Sequence, residues 1–275
     1  MSRRMPSLLG SVVLATLVVA LAAVAAAELP ASSTDPDAIM RAVHDRDAGD
    51  RMVAKVRMEI TGSGSSRSRG FVLRTLKFSG GTRRLMIFES PAEVRNTGLL
   101  TQDFDDGKLD DNQWLHLPSL HQTTRIATTR RSGSFVGSDF SFADLTLPDP
   151  TLYRHTLRSA REAVDGEDAW LIESVPRASS TQVETGYSRV ETWVSQRHLI
   201  PLRVKAAMDH GRTKYISVSD VRVIQGIATP GTITARVVYD GKVESQTVLT
   251  QSEIRYGDKS LSEADFISQR LERGL

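Results

Sequence analysis

The sequence contains no cysteine. That excludes disulfides, and it excludes an acylated N-terminal cysteine, so the chain is not itself a lipoprotein. A chain of this length without disulfides must rely on its apolar core. Charge of either sign in excess is also missing. Lys and Arg number 35, Asp and Glu 33, for a formal net charge of +2. Arg3 and Arg4 sit in an N-terminal segment of 27 residues that holds no acid, so the remainder balances at +2 minus 2, or zero. A neutral chain is a poor candidate for sequence-independent nucleic-acid binding, and no nucleic-acid partner is expected. There is no Pro/Gly/Ser linker long enough to divide the chain, and no periodic repeat of the solenoid or propeller kind.

Catalytic and metal-binding signatures are scarce as well. None of the six histidines belongs to an H-E-x-x-H motif. His116 and His121 flank Pro118 without an obvious third ligand, so no metal is expected there. Asp103 to Asp111 is acid-rich, but Gly107 falls at the wrong position for a calcium loop and Trp114 stands where a glutamate is required; a solvated turn is the expectation. No G-x-S-x-G elbow occurs, Gly133-Ser134-Phe135-Val136-Gly137 having the wrong offset. No Walker loop or dinucleotide fingerprint is present, so no cofactor is expected. Sequence distance leaves open a Ser–His pair brought together by folding. The chain is read as a non-enzyme.

What is present begins with an export signal. Ser2-Arg3-Arg4 is basic, Leu8 to Val24 is apolar, and Ala25-Ala26-Ala27 is a small-residue exit before Glu28. This pattern predicts a signal peptide over 1–27, a mature N-terminus at Glu28, and a bacterial periplasmic location. The alternative is an uncleaved membrane anchor. Residues 28–275 are read as one domain.

Asp35 and Pro36 mark a helix start. Ile39, Met40 and Val43 share its inward face, and Gly49 stops it. Such a helix packs on the core or serves as a lid. From Met52 the period becomes two: Met52, Ala54, Val56, Met58 and Ile60 alternate with charged residues in a half-buried strand. The polar run from Gly62 to Gly70 reads as a turn. Further strands follow at 71–78, 83–89 and 98–104, with a cap and one helical turn at Ser90-Pro91-Ala92-Glu93. Beyond residue 150, strands are read at 153–164, 169–175, 189–194, 199–206, 213–224, 232–239 and 242–249. Asp240-Gly241 is a type I′ hairpin signal between the last two. Ser260-Leu261-Ser262-Glu263 reads as a capping box opening a final helix to about Arg273. The fold class is mainly β (α+β), with about eleven strands and short turns, which argues a barrel or strongly curved sheet.

The chain is organised around residues 110–147. Two strand-like runs, 113–117 and 123–128, lead into a loop of glycine, serine and three phenylalanines, Phe135, Phe140 and Phe142. The loop is too apolar for idle surface and too rich in Gly and Ser for an ordinary strand. It is read as a binding element that folds over a cavity mouth and stands in for cargo when the cavity is empty. Trp114 is either a core aromatic or a cavity wall. Arg125, Arg130 and Arg131 lie on the surface, or pair near the mouth with lipid phosphate or with Asp139 and Asp144.

Several segments together resemble the LolA-like outer-membrane lipoprotein-sorting proteins. They are Thr97-Gly98-Leu99-Leu100, Gln113-Trp114-Leu115 with Leu117-Pro118, Arg125-Ile126, and Arg131-Ser132-Gly133-Ser134-Phe135. Gly137-Ser138-Asp139-Phe140, Asp144-Leu145, Trp193-Val194 and Pro201-Leu202 continue the pattern. The resemblance covers most of the mature chain, is densest over 97–145, and points to the branch associated with large membrane exporters. It implies a half-open antiparallel β-barrel whose helices cover an apolar cavity. It also implies a periplasmic carrier of lipid or lipoprotein acyl chains, partnered by an inner-membrane exporter. Trp114, Leu115, Leu117, Arg125, Arg131, Phe135, Val136, Phe140 and Phe142 are the expected cavity or gate residues. A non-carrying accessory subunit of an exporter and a lipid hydrolase are the alternatives.

Overall fold

The structure, a computed structural model, describes residues 29–62, 64–107 and 109–273. The signal-peptide assignment and the mature N-terminus at Glu28 lie outside the described residues. Thirteen strands form one antiparallel sheet: β1 (Arg51–Gly62), β2 (Ser65–Phe78), β3 (Gly81–Ser90), β4 (Gly98–Phe104), β5 (Asn112–Leu117), β6 (Gln122–Arg125), β7 (Tyr153–Val164), β8 (Glu167–Pro176), β9 (Arg189–Ser195), β10 (Pro201–Ala207), β11 (Thr213–Ile224), β12 (Ile227–Tyr239) and β13 (Lys242–Tyr256). Their order is β6-β5-β4-β3-β2-β1-β13-β12-β11-β10-β9-β8-β7. Two meanders are therefore joined by one long-range pair, β1 with β13. The edge strands β6 and β7 are consecutive in the chain, so the segment 126–152 crosses the open side of an unclosed sheet.

The count exceeds the expected eleven or so. The two runs of the central stretch, 113–117 and 123–128, are not separate from the scaffold: they add to it as β5 and β6, pairing Leu100 with Trp114 and Trp114 with Arg125. The polar run after Gly62 is likewise strand, not turn. Ser65 pairs with Gly62, and β2 runs on from there with its first residues exposed, because ladder hydrogen bonds to β1 need no apolar side chains.

The sheet curls strongly. Leu99 on β4 and Ile216 on β11 pack into the same apolar cluster, although six strand-to-strand steps separate them. On a flat sheet that is roughly 29 Å at about 4.8 Å per step. The inner face carries Val56, Met58, Ile60, Phe71, Met86, Phe88, Leu99, Ala235 and Leu249. Strict alternation on β1 delivers three of these, Val56, Met58 and Ile60, from one strand, with burial alternating along 54–61.

Helix α1 (Pro36–Asp45) starts as expected, with Asp35 Oδ1 accepting from the amides of Asp37 and Ala38 at 3.0 and 3.1 Å. It seats Ile39 on Trp170, Ile172 and Val194 at the other end of the inner face. Helix α2 (Ser179–Thr185) is a short unexpected turn before β9. Helix α3 (Ser268–Arg273) lies on the outer face, where Leu261, Phe266 and Leu271 cover Leu76, Leu85, Ile87 and Leu100. It is not a cover for the inner cavity. Gly98 allows this approach: a Cβ there would lie 2.7 Å from Leu271. A capping box is present near the C-terminus, but Ser262 forms it with Asp265, opening a single 3-10 turn that ends at Phe266 ahead of α3.

Candidate functional site

Residues 133–142 fold back on themselves. The Phe135 amide donates to the Phe140 carbonyl at 2.8 Å and the Phe142 amide to the Gly133 carbonyl at 3.1 Å. Ser134 and Ser141 form a short bridge. At the tip, Val136 and Gly137 take φ of +50° and +71°. Glycine adopts this region freely; a β-branched valine there is strained and must be held. The hold is visible: the Arg69 guanidinium donates to the Val136 carbonyl.

This loop does not sit over the mouth as expected. It lies against the inner face and fills it. Phe135 is 1% exposed, Phe140 4% and Phe142 9%. Rings form a chain from sheet to loop, with centroid distances of 5.1 Å for Phe71–Phe88, 5.9 Å for Phe88–Phe135 and 5.8 Å for Phe135–Phe142. Each such pair contributes about 0.5–1.5 kcal/mol beyond its area burial.

Polar anchors pin the loop along its length. The Asp139 carboxylate accepts from the hydroxyls of Ser245 and Thr247 on β13, and the Asp139 amide donates to Thr247 Oγ1 at 2.9 Å. Asp144 accepts from Lys214 Nζ at 2.7 Å, Tyr187 OH at 2.6 Å and the Ser141 amide at 2.7 Å. The side chains of this ion pair are 3% and 6% exposed, and Lys214 Nζ also sits 5.2 Å from the Tyr187 ring centroid. Burial, and then the negative charge of Asp144, hold the Tyr187 hydroxyl well above the ordinary tyrosine range. Gln113 Nε2 donates to the Phe142 carbonyl at 2.8 Å. At the loop's root the Arg131 guanidinium donates to Glu184 on α2 and to the Asp111 carbonyl.

The sequence-named residues thus divide. Leu115, Phe135, Val136, Phe140 and Phe142 meet on the inner face. Trp114 lies on the opposite, outer face against the C-terminal cluster. Leu117 ends β5 half-buried, outside the inner cluster. Arg125 is exposed and bonds Asn112. Arg131 is 3% exposed, an anchor and not a surface residue. The arginines do not meet Asp139 or Asp144, which take the partners above. Lys214, Tyr187 and Glu184 were not singled out by sequence.

Beside the loop's root, on the open side, is a pocket of about 290 Å³ between the turn that follows β4, helix α2 and residues 146–153. The acid-rich stretch expected to be a solvated turn lines it. Asp103 is 5% exposed and ion-paired with Arg84. Asp111 Oδ1 accepts from the Phe104 amide at 2.9 Å. Burial raises the Asp103 carboxyl above its usual range against the opposing pull of Arg84. Burial likewise pushes Asp111 up to about 6, the Phe104 hydrogen bond opposing. Burial and the charge of Glu184 push Tyr153 up to about 12. A larger groove of about 790 Å³ on the outer face includes Trp193, Tyr215 and Arg236. Its other cations are spoken for, Arg203 with Asp165 at 2.7 Å and Lys205 with Glu191 at 2.9 Å.

A pH dependence follows from Asp111. A carboxyl whose folded pKa is raised binds its proton more tightly folded than unfolded. It favours folding fully below its unfolded pKa, and that contribution is lost as pH rises through the folded value. Stability is therefore expected to fall between about pH 4 and pH 7, by roughly 1–2 kcal/mol after discounting for solvent screening of this partly exposed group. Asp111→Asn should flatten that slope. Denaturant midpoints measured across the range decide it; an unchanged slope in the variant would remove Asp111 as the source.

A family model described as an uncharacterized protein matches residues 80–273. No curated protein matches. Among solved structures, a domain from Vibrio parahaemolyticus described as a putative outer membrane lipoprotein-sorting protein domain is 26% identical, covers 86% of this chain and 98% of its own, and has a TM-score of 0.77. A DUF1329 family protein from Desulfovibrio piger is 29% identical, covers 86% of this chain and 100% of its own, also with a TM-score of 0.77. A LolA superfamily protein from Nitrosomonas europaea, 18% identical with a TM-score of 0.62 over 86% of this chain and 100% of its own, shares the fold. With the curled, unclosed sheet and its buried loop, these likenesses settle the kinship: the chain belongs to the LolA-like family.

Proposed function

We propose that the protein is a periplasmic carrier that shields the acyl chains of a lipid or lipoprotein on the inner face of its curled sheet, passing them between envelope membranes beside an inner-membrane exporter. The observation that carries this reading is the phenylalanine loop. It occupies the inner face of an open sheet as a separate, tethered insert, not as a strand of that sheet. Chains entering there would replace Phe135, Phe140 and Phe142 against Phe88, Leu99 and Leu115. A buried methylene contributes about 0.8 kcal/mol, so some fourteen would give on the order of 11 kcal/mol gross, less the cost of moving the loop. Handover then needs only a difference of affinity between donor, carrier and acceptor, and no catalytic residue.

Native mass spectrometry of the chain purified from periplasmic extract tests the reading. The expected result is a fraction of molecules carrying one lipid or lipopeptide mass. An empty protein under conditions that retain lipid on a known carrier would sink the carrier reading and favour an accessory role. Release of free fatty acid would favour hydrolysis.

A further inference from the structure

The pocket at the loop's root has a composition that the carrier reading does not use. Six acids line it: Asp103, Asp105, Asp110, Asp111, Asp149 and Glu184. Its arginine is committed, since Arg131 bonds Glu184 and the Asp111 carbonyl. Arg84 takes Asp103 Oδ2, and Asp103 Oδ1 remains buried without a hydrogen-bond partner in a side chain that is 5% exposed. Glu184 and Asp103 are thus balanced, and Asp105, Asp110, Asp111 and Asp149 leave a surplus of negative charge. Such a pocket repels phosphate and carboxylate.

The surplus is not arranged for a bare metal, because among the described residues no three His, Asp or Glu side chains converge on one point. Apolar side chains share the lining, Phe104, Leu109, Leu147 and Leu152 among them. Dispersed acceptors with apolar walls suit an ammonium on an organic stem, which donates hydrogen bonds to several oxygens at once. The volume, about 290 Å³, is at the small end for ligand sites and fits a headgroup fragment. The position also fits, for Arg131 and Ala143 line the pocket and bracket the loop that fills the inner face.

We propose that this pocket receives a primary ammonium at the polar end of the cargo, while the cargo's acyl chains take the place of the phenylalanine loop. The inference rests on the carrier reading and names its cargo class: amine-bearing lipids. An ethanolamine phospholipid and the free N-terminal amine of a diacylated lipopeptide both present that chemistry. Desolvation raises Asp103 and Asp111 in this pocket, and a bound cation would relieve it.

Binding of lipids with identical chains to the purified protein tests this. The probes are phosphatidylethanolamine against phosphatidylcholine and phosphatidylglycerol, and a diacylated lipopeptide with its amine free against the same peptide N-acetylated. The free-amine member of one or both sets is expected to bind about tenfold more tightly than its controls, and the set showing the preference identifies the source. The isosteric variant Asp105→Asn/Asp110→Asn/Asp111→Asn should abolish the preference while chain binding persists. If that variant does not fold, Asp105→Asn, at an exposed position, should still reduce the preference. Equal binding of all probes by the unaltered protein overturns the ammonium site and leaves the carrier reading standing. Binding of none overturns both. A preference that survives in the folded triple variant places it elsewhere and overturns the proposal.

Discussion

Phe135→Ala is expected to destabilise the protein by about 3–5 kcal/mol and, per folded molecule, to raise its apparent affinity for acyl chains. The first effect follows from burial. Phe135 is 1% exposed and its ring links Phe88 to Phe142, so truncation leaves a cavity that the pinned loop cannot collapse into. The second follows from competition. If chains bind where the loop packs, the empty state's loop–sheet contacts oppose binding. Weakening them lowers the cost of displacement, and each 1.4 kcal/mol removed is a tenfold gain in apparent affinity. Roughly tenfold or more is expected. This reverses the sign anticipated for a loop lying over a mouth, where losing phenylalanines would let lipid escape. Thermal melts and lipid titration on the same samples distinguish three cases. A large stability loss with unchanged binding would make the loop permanent core. A stability loss with weaker binding would mean that the rings line the bound chain. Only a loss of stability with tighter binding fits a stand-in.

Much of the scaffold was legible because its signals are local. The alternation from Met52 to Ile60 needs only the period of a strand, and β1 buries Ala54, Val56, Met58 and Ile60 of that series. Asp240-Gly241 encodes its turn in two residues, with φ of +47° and +71°. The loop stood out because phenylalanines among glycines and serines match neither surface nor strand. What escaped depends on register and distant partners. Trp114 and Leu115 are both apolar, so sequence could not say which faced inward; a one-residue choice of register decides, and the pairing with Leu99 and Leu100 puts Leu115 inside. Helix α2 has an inverted pattern, its Val183 51% exposed and its Thr181 buried; apolar periodicity cannot find such a turn. Arg131 and Glu184 are 53 positions apart, Lys214 and Asp144 70. A lone lysine in a polar strand reads as solvated until the fold supplies its acid.

That buried pair carries the other large effect. Lys214→Met is expected to cost about 3–5 kcal/mol, since it strands the Asp144 carboxylate where only Tyr187 and the Ser141 amide remain to satisfy it. For a chain of this size the melting temperature should drop on the order of ten degrees. The loss measures a charge left unpaired, not the worth of the ion pair, so the companion variant is decisive. Adding Asp144→Asn to Lys214→Met removes the orphaned charge while keeping an acceptor for Tyr187, and should recover much of the stability. A coupling of about 1–3 kcal/mol between the two sites is expected. A single-variant cost below about 1 kcal/mol would mean that water reaches the pair and that it does not fasten the loop. The functional consequence runs the same way as for Phe135. Asp144 ties the C-terminal end of the loop to β11, so Lys214→Met should ease displacement and raise lipid occupancy in the molecules that remain folded, with the double variant returning occupancy toward that of the unaltered protein.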